Sequence, residues 1–102
     1  MQGPKAGRMA RHAARTDDNQ AEVVKRLREF SRVTPTHQVG GGFPDLVVQF
    51  MGRTILMEVK MPGESLNKDQ AKFFAEWNGG EIYIVRTPEE ALKHLIGEQA
   101  LA

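Results

Sequence analysis

The chain has no cysteine, so neither a disulfide framework nor a thiolate metal site is open to it. It has no apolar run of membrane-spanning length. Its start, Met1-Gln2-Gly3-Pro4-Lys5, lacks the charged-then-apolar pattern of a secretory signal. The expected compartment is therefore the cytoplasm. No internal repeat is present, and 102 residues that are 40% hydrophobic suffice for one small domain with a modest core. A strong overall charge is also missing, since the net value is +1, but the distribution is uneven. Residues 1–15 carry Lys5, Arg8, Arg11 and Arg15 with no acid, and the remainder carries 10 basic and 13 acidic residues. A basic arm on a mildly acidic body fits phosphate-backbone contact, which is electrostatic and sequence-independent. A solubilising tail explains the same composition. The expected organisation is an arm over 1–15 and one domain over 16–102.

What is present is a pair of β-like segments carrying charge in unusual places. Asp45-Leu46-Val47-Val48-Gln49-Phe50 and Ile55-Leu56-Met57-Glu58-Val59-Lys60 are rich in branched and aromatic residues and flank Met51-Gly52-Arg53-Thr54. Glycine followed by any residue suits a type II′ hairpin turn, which makes Gly52 and Arg53 the turn residues. That register pairs Met51 with Thr54, Val47 with Glu58 and Asp45 with Lys60. Alternation along a strand then sets Asp45, Glu58 and Lys60 on one face. Ile55, Met57 and Val59 form an apolar opposite face that packs on a helix. Two acids converging on one face make a hard-cation site, and the lysine beside them suggests phosphate chemistry. A cross-strand Asp-Lys ion pair on a solvated face is the competing explanation. Burying Glu58 and Lys60 merely to pair each other is costly and often no better than apolar packing.

The flanking segments read as helices and a further strand. Thr16 or Asp17 caps a helix to about Ser31, with Gln20, Val23, Val24 and Leu27 on its buried stripe and Glu22 on the wet side. A buried Gln20 needs partners, either backbone groups or the site. Val33 to Val39 is strand-like but contains Pro35, so it is expected at a sheet edge. Gly40, Gly41 and Gly42 let backbone approach a substrate or simply connect, and His37 lies beside them. Asn67 and Gln70 form a capping box at the start of a helix that runs through Phe73, Phe74 and Trp77 and stops at Gly79-Gly80. Lys68, Gln70 and Lys72 lie near that start, where free amides and the helix dipole favour phosphate. Glu81–Val85 is an apolar strand, and Thr87-Pro88-Glu89-Glu90 opens a last helix packed through Ala91, Leu92, Leu95 and Ile96.

The order α-β-β-β-α-β-α, with Pro44-Asp45 on one strand and Glu58-Val59-Lys60 on the next, resembles the PD-(D/E)XK nuclease superfamily. More narrowly it resembles the small bacteriophage and bacterial VRR-NUC type, which includes proteins like Holliday-junction resolvases. The likeness runs from about Asp17 to Leu95. It takes in Asp17-Asp18-Asn19-Gln20, Gly41-Gly42-Phe43-Pro44-Asp45-Leu46, Leu56-Met57-Glu58-Val59-Lys60, Leu66-Asn67-Lys68-Asp69-Gln70 and Val85-Arg86-Thr87-Pro88-Glu89-Glu90-Ala91-Leu92. The resemblance implies a restriction-endonuclease-like αβββαβ core, a mixed α/β sheet flanked by helices, with one more helix at the C-terminus. It implies that Asp45 and Glu58 bind metal with the Val59 carbonyl, and that Lys60 is the catalytic lysine. Gln20 stands where family members often carry a glutamate, and an amide ligates a cation or its water with less charge. Gln70 matches a recurrent glutamine.

The expected activity is Mg²⁺- or Mn²⁺-dependent endonucleolytic hydrolysis of DNA phosphodiesters, leaving a 5′-phosphate, in a bacterial or phage-infected cell. Lys68, Gln70, Lys72, Gly41, Gly42, Arg8, Arg11 and Arg15 are the expected DNA contacts. Cutting both strands of a branched junction needs two sites, which points to a homodimer acting on branched or structured DNA. A catalytically silent DNA-binding or assembly module that keeps the fold is the alternative.

Overall fold

The computed structural model describes residues 18–37 and 39–97. Helix α1 (described from residue 18, to residue 27) buries Val23, Val24 and Leu27, the stripe expected from their spacing, and leaves Glu22 exposed. It closes where the Ser31 hydroxyl and N–H both donate to the Leu27 carbonyl, at 2.7 and 2.9 Å. The expected cap at Thr16 or Asp17 lies outside the described residues.

Four strands follow the β-β-β-α-β order expected of the sequence. Strand β1 (Arg32–Pro35), β2 (Leu46–Phe50) and β3 (Arg53–Val59) form an antiparallel meander. Strand β4 (Glu81–Val85) pairs parallel with β3 after the crossover helix α2 (Lys68–Glu76). The sheet order is β1-β2-β3-β4, so β1 is an edge strand, as its Pro35 requires. Helix α3 (Pro88–Ile96) ends the described chain, capped by Thr87, whose Oγ1 accepts the Glu90 N–H at 3.0 Å. The described residues thus form an α/β fold with a four-stranded mixed sheet and three helices.

The hairpin turn differs from the expected one. Phe50 pairs with Arg53, so Met51 and Gly52 are the turn residues, with φ of 48° and 81°. Positive φ at both positions is the type I′ pattern, whose twist matches that of the flanking strands. Every pairing is therefore two residues away from expectation: Val47 faces Leu56 rather than Glu58, and Thr54 faces Gln49 rather than Met51. A shift of two preserves the face of each side chain, whereas a shift of one inverts it.

One face of the sheet carries Val33, Leu46, Val48, Ile55, Met57, Val59 and Val85, which join the apolar residues of α1 and α3 in the core. On the other face Leu56, Glu58 and Lys60 are also buried, and Gln70 of α2 reaches that face. The expected stop of α2 at Gly79-Gly80 is not the observed one. The cap is Trp77, in extended backbone, and the indole N–H donates to the Gly80 carbonyl at 3.1 Å. Gly79 lies so close to the Trp77 ring that a Cβ there would meet it at 2.5 Å.

Arg53 fastens the far end of the sheet. Its guanidinium donates to both Glu81 carboxylate oxygens, at 2.8 and 2.7 Å, and to the Leu95 and His94 carbonyls of α3, at 3.1 and 2.7 Å. Among the described residues no helix is long and apolar enough to cross a membrane.

Candidate functional site

One step past the last paired residues, Leu46 and Met57, the register sets Asp45 beside Glu58. The expected Asp45–Lys60 opposition is thereby corrected, and so is the idea of a cross-strand ion pair between those two. The Lys60 N–H donates to Val85 of β4 at 3.0 Å, so the backbone groups of Glu58 run between the ladder bonds to β2. Asp45 and Glu58 thus hold a non-hydrogen-bonded pair position, where Cα atoms approach to about 4.5 Å and side chains are closest.

Beyond Asp45 the ladder does not continue, since Pro44 lies outside β2 and its carbonyl accepts from Thr36 just past β1. Proline has no N–H with which to extend it. The Val59 N–H is taken by Asp45 Oδ2 at 2.9 Å instead of by the backbone. Asp45 therefore closes the strand end with its carboxylate, and Val59 presents a carbonyl with no ladder donor facing it. Thr36, which the sequence did not single out, fixes the other side of Asp45. Its N–H donates to the Asp45 carbonyl at 2.9 Å and its hydroxyl donates to the Pro44 carbonyl at 2.7 Å.

Glu58 is 2% exposed, far from the solvated position that a surface ion pair requires. Its Oε2 accepts from Gln70 Nε2 at 2.9 Å and lies 3.8 Å from Lys60 Nζ. Its Oε1 is buried and receives no donor among the described residues; with Glu58 protonated, the carboxyl hydrogen-bonds the Asp45 carboxylate beside it. Burial, reinforced by the Asp45 charge and partly offset by Lys60, pushes the Glu58 carboxyl up to about 8. Burial also raises Asp45, against the Val59 N–H that lowers it. Like charges directly opposed across a ladder are destabilising. The pair consequently demands a proton or a cation between its members.

Gln70 has two jobs at once. Its Oε1 accepts the Asn67 N–H at 2.9 Å and its N–H donates to Asn67 Oδ1 at 2.8 Å, the capping box read from the sequence. The remaining amide hydrogens are free to serve Glu58. Asn19 of α1, given no role of its own in the sequence reading, donates to the Lys60 carbonyl at 3.2 Å and pins the helix to the end of β3.

Asp45 and Gln70 border a cleft of about 370 Å³ lined also by Gln20, His37, Gly42 and Phe43, whereas Glu58 and Lys60 lie behind its lining. Gln20 is half-buried on that wall, and His37 is at the rim with a positive φ of 28°. Gly42 has a reason other than ligand approach. A Cβ there would lie 2.3 Å from the Asp69 carbonyl oxygen, so its backbone is packed on the first turn of α2. Gly41 has open space around it. Lys68 and Lys72 are exposed on α2, away from the cleft lining. Arg8, Arg11 and Arg15 lie outside the described residues. Among the described residues no three His, Cys, Asp or Glu side chains group as a metal cluster; the acidic centre is a pair.

No protein-family model, curated protein or solved structure matches the chain.

Proposed function

We propose that the protein is a divalent-cation-dependent endonuclease that hydrolyses DNA phosphodiesters. The αβββαβ order with Asp45 and Glu58 paired at its centre supports a restriction-endonuclease-like core of the PD-(D/E)XK kind. The single observation that carries the reading is the buried Glu58 Oε1, which receives no donor, beside a second carboxylate. With Glu58 ionised, such a buried oxygen costs about 1–3 kcal/mol, and a cation shared with Asp45 removes both that cost and the repulsion.

Asp45, Glu58 and the Val59 carbonyl would hold the cation, with the Gln20 amide on the cleft wall available to it or to its water. An all-oxygen set of low charge, completed by water, suits Mg²⁺ or Mn²⁺. When bound, such a cation supplies Lewis acidity toward a phosphate and a water of lowered pKa. The protein's own groups do the rest. Gln70 fixes the Glu58 rotamer through one amide hydrogen. The Val59 N–H aims Asp45. Lys60, beside Glu58, neutralises charge that builds on the phosphate or orients the attacking water. Lys68, Lys72 and the basic residues Arg8, Arg11 and Arg15 supply electrostatic attraction for the backbone. A two-fold dimer would provide the second site that branched DNA requires.

The test is cleavage of labelled linear, flap and four-way-junction DNA with Mg²⁺, Mn²⁺ or EDTA, beside Asp45→Ala and Lys60→Ala. Cutting that needs the cation and disappears in both variants is expected, with the branched substrates cut fastest. DNA binding without cutting under every condition replaces the enzyme with a silent binding module.

A further inference from the structure

After Lys60 the chain makes a tight turn that returns to the site. Met61-Pro62-Gly63-Glu64 has proline and glycine at its two central positions, with Gly63 at φ 83°, and the Glu64 N–H donates to the Met61 carbonyl at 3.0 Å. Proline sets the first central residue and glycine alone accepts the positive φ of the second, the type II arrangement. The turn brings the Glu64 side chain back over its own start. Glu64 Oε1 accepts the Met61 N–H at 2.8 Å, and Oε2 lies 3.8 Å from Lys60 Nζ. From the other side, Arg86 Nη2 donates to the Glu64 carbonyl at 2.8 Å and holds the turn to the end of β4. A side chain held in this way is no loose surface acid, although it is 44% exposed.

The Lys60 ammonium thus stands equidistant, at 3.8 Å, from Glu58 and from Glu64. The two partners are not equivalent. Glu58 belongs to the buried pair with Asp45, and a cation held there would share Glu58 with the ammonium. Two positive groups on one carboxylate repel, and the Lys60 side chain is only 9% exposed, so its ammonium needs a counter-charge. Glu64 faces the ammonium without being part of the Asp45–Glu58 pair.

We propose that Glu64 is a positioning residue for Lys60, supplying a counter-charge that the cation does not share and so retaining the ammonium beside the site when the cation is bound. This rests on the reading of Asp45 and Glu58 as cation ligands. If it holds, removing the Glu64 charge makes Lys60 compete with the cation for Glu58.

The experiment is calorimetric titration of the full chain with Mn²⁺, for the native protein, Glu64→Gln, Lys60→Met and the double variant. Glutamine keeps an oxygen for the Met61 N–H, so Glu64→Gln is expected to melt in EDTA within a few degrees of the native chain. Its Mn²⁺ affinity should fall roughly three- to thirty-fold, within the range of coupling between neighbouring groups. In the Lys60→Met background the same substitution should change affinity less than about two-fold. An equal loss in both backgrounds overturns the proposal, because Glu64 then acts on the cation directly. An unchanged affinity in Glu64→Gln, with Mn²⁺ binding abolished by Asp45→Ala, overturns it and leaves the cation site standing. A native protein that binds no Mn²⁺ overturns both.

Discussion

At Glu58 the carboxyl sits in surroundings that disfavour its charge, and its folded pKa of about 8 stands above the ordinary value of 4.5. Between those values the folded state binds the extra proton, so stability falls as pH rises from about 4.5 toward 8. In EDTA the denaturation midpoint should therefore drop across this window, by up to a few kcal/mol in stability. Glu58→Gln should flatten that limb, and Mg²⁺ or Mn²⁺ should restore the native chain at the upper end. A slope identical in native and Glu58→Gln proteins would remove Glu58 as its source. Gln70→Ala tests the neighbouring contact. It deletes the capping-box acceptor and the amide that serves Glu58, and should cost about 1–3 kcal/mol by urea denaturation. A cost of a few tenths would mean that the amide is replaced by water.

At the scale of elements, two tight backbone approaches determine the site's shape. Gly42→Ala meets both an unfavourable φ of 81° and the Asp69 carbonyl of α2, whereas Gly41→Ala meets an unfavourable φ of 64° alone. Each carries a left-handed penalty of about 1 kcal/mol, and only Gly42→Ala adds displacement of the loop from the helix that bears Gln70. Gly42→Ala should therefore be the more destabilising by at least about 1 kcal/mol in denaturant melts, and equal costs would discount the packing. The hairpin offers the opposite case. Met51 is exposed and holds a φ of 48° in a turn that prefers Asn-Gly. Met51→Asn should raise stability by about 0.5–1 kcal/mol without altering the site, since the pairing of Asp45 with Glu58 depends on this turn being retained.

For the whole molecule, Arg53 joins the hairpin, β4 and the end of α3 through one guanidinium. Its pairing holds the Glu81 carboxyl down to about 2. A carboxyl depressed in the folded state contributes stability above its ordinary value of 4.5 and loses it as pH falls toward 2. The cation-free protein should thus weaken on both sides of about pH 4.5, through Glu81 on the acid side and Glu58 on the other. Arg53→Lys keeps the charge but not the fork that reaches a carboxylate and two carbonyls. Acid titration of this variant should show a smaller loss of stability between pH 4.5 and 2 than the native chain, at a lower starting stability. An unchanged acid limb would assign the transition to other carboxylates.

Much of this was legible in the residues because it is local. The alternation of Leu56, Glu58 and Lys60 against Ile55, Met57 and Val59 assigns faces at any even register, so the convergence of Asp45 with Glu58 survived a wrong turn. Asn67 and Gln70, or Thr87 and Glu90, declare their helix starts because capping joins residues only three positions apart. Pro35 marked an edge strand because proline cannot serve a central ladder. What tertiary structure decided depends on groups remote in the chain. The placement of the turn at Met51-Gly52 chose which residue faces Asp45, and a non-glycine residue held at positive φ is set by the pairing of the whole ladder, which local residue preference for the turn does not reveal. The burial of Glu58 and Lys60 came from what packs over the second face, and alternation alone describes no covering. The partners of the site, Thr36 on Asp45, Asn19 on Lys60 and the second amide hydrogen of Gln70 on Glu58, arise from distances across the fold that no spacing encodes.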